Sequence, residues 1–319
     1  MNEFLLANIR CPSCSEALML SEGAESLVCV KCDESFPIVG GHPILLSDNN
    51  KLFSKKDLSE ALLTKSNRSK NRLRKYIPTI SVDLSQDKLA LFFSLIASQT
   101  GVLHVLVVGC GTQKSHLDNL RSPYDNVRLV YCDIDSSSWS DVYCDAHNLP
   151  FDCGSFDGVI CTAVLEHVMY PEAAAGEITR VLKQGGLVYN ELPFIQQVHE
   201  GAYDFTRYTL SGHRRLFNSF TEIYAGMVAG PGTALVWTIE NFVLAFFANS
   251  IIRNIAKITV RVLFFWIKYF DYYLMDKPQA MDGASCTYFL GKKDLKMTSD
   301  EQIISSYIGA KHLEHINIS

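Results

Sequence analysis

Four cysteines near the start of the chain stand in two pairs, Cys11-Pro-Ser-Cys14 and Cys29-Val-Lys-Cys32, with fourteen residues between the pairs. Two CxxC turns can set four thiolates at the corners of a tetrahedron, the arrangement zinc favours, and a metal held this way organises a module too small to own a core. With all four positions taken by protein, such a metal is structural and not catalytic. The plainer alternative is two unrelated pairs of reduced thiols; a redox pair would want a thioredoxin-like strand ahead of it, and none precedes either CxxC. The other six cysteines, Cys110, Cys132, Cys144, Cys153, Cys161 and Cys286, are scattered, several inside apolar runs, and read as free thiols of a reducing compartment.

A second chemical feature begins at Gly109-Cys110-Gly111, directly after the apolar run Val102–Val108. A buried strand ending in Gly-x-Gly lets the backbone approach a ligand closely and turn into the next helix. Asp133 ends the next apolar run, Val127–Cys132, where a carboxylate can accept hydrogen bonds from two ribose hydroxyls. The pattern suits any nucleotide-like ligand. A full GxGxxG is absent because position 114 is Lys114, which argues against a dinucleotide.

With those residues in view, residues 102–191 resemble the class I S-adenosylmethionine-dependent methyltransferases, in the branch called methyltransferase type 11. Val105-Leu-Val-Val-Gly-Cys-Gly-Thr112 is similar to the family's glycine-rich first motif, and Asp133 to the acid that holds the ribose. Asp145-Ala146-His147-Asn148-Leu149-Pro150-Phe151 is similar to the third motif, whose acid faces the adenine amino group. Ser155–Ile160 corresponds to the fourth strand, Leu165-Glu166-His167 to the segment behind the cofactor, and Arg180–Gly186 to the turn before the fifth strand, with Gln184 where a proline is usual. The resemblance implies S-adenosylmethionine as cofactor, contacted by Gly109, Cys110, Gly111, Asp133, Ile134, Asp145, Ala146, Thr162 and His167. It also implies a Rossmann-like seven-stranded α/β sheet. Residues 9–46 resemble the zinc-ribbon domain related to the small activator subunit of several tRNA and protein methyltransferases. Phe36-Pro37-Ile38-Val39-Gly40-Gly41-His42-Pro43-Ile44-Leu45 carries that likeness.

A loop at the carboxyl end of a sheet strand is where an α/β enzyme places its substrate contacts. Residues 192–209 form such a loop, and His199, Asp204, Arg207 and Tyr208 concentrate in it. The stretch resembles a subset of bacterial methyltransferases with Pro-Phe…His…Asp-Phe-x-Arg-Tyr-Thr, some of which occur in surface-glycan contexts. Methyl transfer to oxygen or nitrogen needs an acceptor in line with the sulfonium methyl and can need a base. Imidazole as a residue type titrates near neutrality, so His199 is the candidate base, and Arg207 could hold an anionic acceptor. The alternatives are a loop-ordering histidine and a loop-stabilising Asp204–Arg207 ion pair. An Asn/Asp-Pro-Pro-aromatic tetrad, found where bases or glutamine are methylated, is absent.

The elements that must position these residues follow from pattern. Strands are expected at 102–108, 127–132, 156–161, 187–190, 220–227 and 285–290, with helices at 89–96, 171–182 and 209–217; their alternation argues an open α/β sheet. Only eleven residues separate Asp133 from Asp145, too few for a crossover containing a helix, and Asp135–Asp141 is a poor helix former. The helix there is expected to be missing, leaving a face for the linker helix or the cysteine module to cover. The chain divides into a zinc-ribbon domain 1–46, a basic linker and surface helix 47–85, a catalytic domain 86–293 with an apolar helical insertion 232–278, and a tail 294–319.

Within the insertion, Arg253, Lys257, Arg261 and Lys268 fall within about 80° of a helical wheel, opposite Val262, Leu263, Phe265, Trp266 and Tyr269. Such a helix suits an anionic membrane surface and a hydrophobic or lipid-linked acceptor; the alternative is packing on the catalytic domain or in a homodimer. Neither apolar stretch reaches eighteen unbroken residues. With 48% hydrophobic and 20% charged residues the chain is expected to fold. A net charge of −5 gives nucleic acid no support as a partner, and the start lacks the pattern of a signal peptide. The expectation is a cytoplasmic enzyme, peripheral at the inner face of the membrane if the insertion binds lipid. Its acceptor would be a small molecule, a glycan or a lipid-linked intermediate. An RNA or protein acceptor guided by the zinc domain, and a non-catalytic cofactor-binding scaffold, are the other readings.

Overall fold

The computed structural model describes residues 3–64, 77–111, 114–295 and 297–310. Lys65, Arg68, Lys70, Arg72, Arg74 and Lys75 of the expected basic linker, Thr112 of the glycine-rich motif and the end of the tail lie outside the described residues.

A short helix α1 (Glu3–Asn8) opens the chain, followed by β1 (Leu18–Leu20), β2 (Ser26–Cys29), β3 (Ser35–Val39), β4 (His42–Leu45) and α2 (Lys55–Leu63). Then come α3 (Gln86–Ala97), β5 (Leu103–Val108), α4 (Lys114–Arg121), β6 (Val127–Asp133), β7 (Val142–Cys144), β8 (Phe156–Thr162), α5 (Pro171–Val181) and β9 (Leu182–Pro193). The chain continues through α6 (Leu210–Leu216), β10 (Phe220–Ala229), α7 (Pro231–Leu244), α8 (Ser250–Phe264) and β11 (Cys286–Lys293).

All eleven strands join one sheet in the order β1-β2-β3-β4-β7-β6-β5-β8-β9-β11-β10. From β4 to β9 neighbours are parallel, whereas β11 runs antiparallel to both β9 and β10. The expectation was seven strands; the sheet is larger because the cysteine-bearing segment is hydrogen-bonded onto its edge. Val39-Gly40-Gly41-His42 makes the hairpin that turns β3 into β4, with both glycines at positive φ, +59° and +86°. That is the backbone a two-residue hairpin loop needs. β4 then pairs with β7 through Ile44–Tyr143 and Leu45–Cys144.

Alternation along β5 sorts its side chains to two faces. Val105 and Val107 pack with Phe92, Phe93 and Ile96 of α3, and Leu106 and Val108 with Ala174, Ile178 and Val181 of α5. The second cluster also takes in Leu5 and Ile9 near the N-terminus and Leu27 and Phe36 of the cysteine segment, so one core runs through both.

No helix joins β6 to β7. Leu58 of α2 packs with Ile44, Leu46 and Tyr143 over that face, and Phe53 and Ile134 lie against them. Both the cysteine module and the helix after it therefore cover the position that a crossover helix would fill.

The insertion between β10 and β11 is a helical pair, and its basic residues find partners within the protein. Arg261 grips the buried Glu240 of α7 with Nε–Oε2 at 2.6 Å, and Lys257 reaches the same carboxylate at 3.7 Å. Arg253 donates to the carbonyl of Leu244, and the buried Lys268 to that of Thr79. These basic groups pair with α7 and with the segment before α3, while Ile251, Ile255, Val262, Leu263 and Trp266 are exposed. These contacts are those of the packing alternative for the basic residues, and they leave the apolar side of α8 uncovered among the described residues. Among the described residues no helix is long and apolar enough to cross a membrane.

Candidate cofactor and acceptor site

The glycine-rich turn leaves the carboxyl end of β5 with Gly109 at φ +70° and Gly111 at φ +46°. A Cβ on Gly109 would lie 2.1 Å from Cγ2 of Val164, so both conformation and space demand glycine. Gly111 N–H donates to Oδ2 of Asp133 at 2.7 Å, while Ile134 and Asp135 N–H groups donate to Oδ1 at 2.7 and 3.0 Å. The strand-end acid therefore faces the turn. A carboxylate offers about four acceptor positions, so Oδ2 keeps one for a hydroxyl. The Cys110 thiol is buried against Ser140, so only its backbone is left for a ligand.

Asp145 follows β7. Its Oδ1 accepts from the backbone N–H of His147 at 2.9 Å and meets His147 Nδ1 at 2.7 Å, and its Oδ2 accepts from Asn50 Nδ2 at 2.8 Å. Burial pushes this acid up, but those donors outweigh it and hold the carboxyl below the usual range. Asp145 lines a hollow of about 280 Å³ together with Pro12, Ser13, Leu45, Leu46, Ser47, Asn49, Asn50 and Asn148. Asn50 was missed by sequence reasoning. It lies just past β4, and only the pairing of β4 with β7 brings it to Asp145.

Thr162 ends β8, half-buried and in register with Glu191. The next residue, Ala163, has φ +53°, a left-handed conformation costly for a side chain and concentrated at functional sites. Its N–H donates to the Glu191 carbonyl at 3.2 Å, which holds the bend that sets Val164 over Gly109. Ala146 is half-buried beside Asp145.

The loop after β9 is tied together from within. Asp204 takes a two-pronged ion pair from Arg207, Nη2–Oδ2 at 2.8 Å and Nη1–Oδ1, and accepts the His199 N–H at 2.9 Å. The Arg207 guanidinium, against the cost of burial, holds this carboxyl well below the usual range. Arg207 also donates to the carbonyls of Gln196, Gln197 and Thr206. The expected sites Asp204 and Arg207 thus come together as a staple for the loop, and the guanidinium is committed there. Tyr208 turns toward α5. Its hydroxyl donates to Glu172 at 3.1 Å, and it lines a separate hollow of about 510 Å³ with Glu172, Gly212 and Arg215. His167, expected beside the cofactor, has Glu166, the Tyr203 carbonyl and the His199 ring as its partners.

The four cysteines converge. Sγ atoms of Cys14 and Cys29 are 3.3 Å apart, and those of Cys11 and Cys14 each lie 3.6 Å from Cys32. Backbone N–H groups of Ser13 and Lys31 approach the sulfurs of Cys11 and Cys29 at 3.4 Å. The cluster can hold a metal ion.

Among known proteins, no curated sequence matches the chain. Several solved structures resemble it in fold. One is a candidate sarcosine dimethylglycine methyltransferase from Galdieria sulphuraria, with 13% identity, 66% of this chain and 85% of that one covered, and TM-score 0.43. Another is the complex of the Haloferax volcanii Trm112 methyltransferase activator with a candidate methyltransferase, at 16%, 66% and 92%, and TM-score 0.40. A third is Haemonchus contortus phosphoethanolamine N-methyltransferase 2 with S-adenosyl-L-methionine, at 15%, 65% and 52%, and TM-score 0.41. Residues 106–190, from within β5 to within β9, match the family described as methyltransferase domain. The loop after β9 and the cysteine segment lie outside that match. Residues 106–190 thus form a methyltransferase domain.

Proposed function

We propose that the protein transfers a methyl group from S-adenosylmethionine to an oxygen or nitrogen of a small-molecule, glycan or lipid-linked acceptor, and that Cys11, Cys14, Cys29 and Cys32 hold a structural zinc. The observation that carries the reading is the Asp133–Gly111 contact at the carboxyl end of β5 inside a methyltransferase domain. Gly109 and Gly111 would let the backbone meet the methionine end of the cofactor. The free position on Asp133 Oδ2 would take a ribose hydroxyl, and Asp145, with Ala146 beside it, the adenine edge. The bound cofactor supplies an electrophilic methyl on a positively charged sulfur. The protein's part is to hold an acceptor in line with it, a role the stapled loop 192–209 at the end of β9 would fill.

Isothermal titration with S-adenosylmethionine tests the pocket. Micromolar binding is expected for the native chain, weakened about 10- to 100-fold in Asp133→Asn, the size of one or two charge-assisted hydrogen bonds. Absence of heat with the native chain would remove the reading. Labelled-methyl transfer in cell extract then identifies the acceptor.

A further inference from the structure

Glu166, in the segment after β8, and His199, in the loop after β9, come together at His167. One donor atom from each of the three lies within 4.8 Å of the other two. Glu166 is 1% exposed, and among the described residues its Oε2 has no hydrogen-bond partner. Its Oε1 stands 3.7 Å from Nε2 of His167. The guanidinium of Arg207 is already taken by Asp204. A buried carboxylate with an unfilled oxygen is costly unless a proton or a cation meets it.

The two imidazoles are oriented from behind. His167 Nδ1 lies 2.7 Å from the Tyr203 carbonyl oxygen. A carbonyl only accepts, so Nδ1 carries the proton and Nε2, the nitrogen beside Glu166, presents a lone pair. His199 Nδ1 lies 3.3 Å from the Gln197 carbonyl and 3.4 Å from Asp204 Oδ2, which Arg207 fixes. Carbonyl or carboxylate support behind an imidazole N–H is the outer arrangement that metal-ligating histidines have. Loop-ordering alone accounts for the Nδ1 contacts of both rings, but not for an orphaned carboxylate oxygen beside the lone pair of His167.

We propose that Glu166, His167 and His199 form a binding site for a divalent transition-metal ion. A set of two imidazoles and one carboxylate suits zinc. Zinc bonds near 2.0–2.1 Å place tetrahedral donors about 3.4 Å apart, and the Glu166–His167 separation of 3.7 Å is close to this. Three protein ligands leave a fourth position for an oxygen ligand, water in the resting protein. The four-cysteine cluster has no such opening. This site lies outside the glycine-rich turn, and metal binding there does not depend on which acceptor is methylated.

The test is metal stoichiometry on the full chain, purified without a histidine tag, saturated with Zn²⁺, desalted and measured by mass spectrometry. Two equivalents are expected in the native chain, and one in His167→Ala/His199→Ala and in Glu166→Gln. The Glu166→Gln change conserves shape, so circular dichroism should be native. A Co²⁺ titration of the unaltered chain gives a second readout. Beyond the thiolate charge-transfer bands of the first equivalent, the second should add only weak d–d absorption. One equivalent in the native chain, or two retained in both variants, would overturn the proposal. Calorimetry with S-adenosylmethionine on the same samples reports the cofactor pocket separately.

Discussion

Gly109 carries two demands at once. Its φ of +70° is unfavourable for any side chain, and its Cα faces Val164 too closely to admit one. Gly109→Ala is therefore expected to cost on the order of 2–3 kcal/mol and to abolish measurable S-adenosylmethionine binding. Adding Val164→Ala should return part of the stability and none of the binding, because the backbone conformation is still wrong; chemical denaturation and calorimetry separate the two. The glycine and the strand-end Asp133 were legible in the sequence because each is demanded by local geometry at the end of an apolar run. Glu166 was legible only as part of a family motif. A single buried acid leaves no periodic trace, and its missing partner shows only once the loops after β8 and β9 are set side by side. Arg207 and Asp204 were ambiguous between ligand binding and mutual pairing, and the surrounding carbonyls settle their geometry as a staple.

Helices and strands differ in how much of their surroundings they announce. Buried parallel strands read as continuous β-branched runs, so β5, β6 and β8 stood out. Helix α8 has a basic and an apolar side, and such a pattern does not say which side faces protein; Glu240, twenty-one residues before Arg261, decides it. A capping carboxylate for α7 comes from beyond the end of α8. Asp271, fully buried, accepts the N–H groups of Gly230, Gly232 and Thr233 at 2.7–3.1 Å, and so supplies the cap that the N-terminus of α7 lacks locally. Side chains on Gly230 or Gly232 would collide with it. Asp271→Ala should destabilise the protein by about 3 kcal/mol, leaving buried donors unsatisfied. Asp271→Asn, which keeps one carbonyl acceptor, should cost less than half of that. Equal losses in urea melts would show that the cap is not what stabilises α7.

At the scale of the whole molecule, the cysteine segment and the methyltransferase domain share one sheet and one core. β4 is hydrogen-bonded to β7, Phe4 stacks on His104 at 3.6 Å, and Leu27 and Phe36 lie in the same apolar cluster as Leu106 and Val159. Their spacing made the four cysteines legible as a metal module, whereas the parallel pairing that fuses the module to the sheet was not. Such pairing depends on an edge left open a hundred residues later by the missing crossover helix. If zinc organises the segment, losing a ligand should loosen β1–β4, strip the cover from β7 and release Asn50 from Asp145. Cys32→Ser is chosen because Cys32 is the exposed member of the four and lies outside the shared core. Its melting temperature should fall on the order of 5 °C or more in a single transition, since no boundary separates the parts. S-adenosylmethionine affinity should fall with it, because the hollow beside Asp145 is built from both. Two resolved transitions, with the upper one unchanged, would instead mean that the cysteine segment melts as an independent appendage and leaves the sheet edge intact.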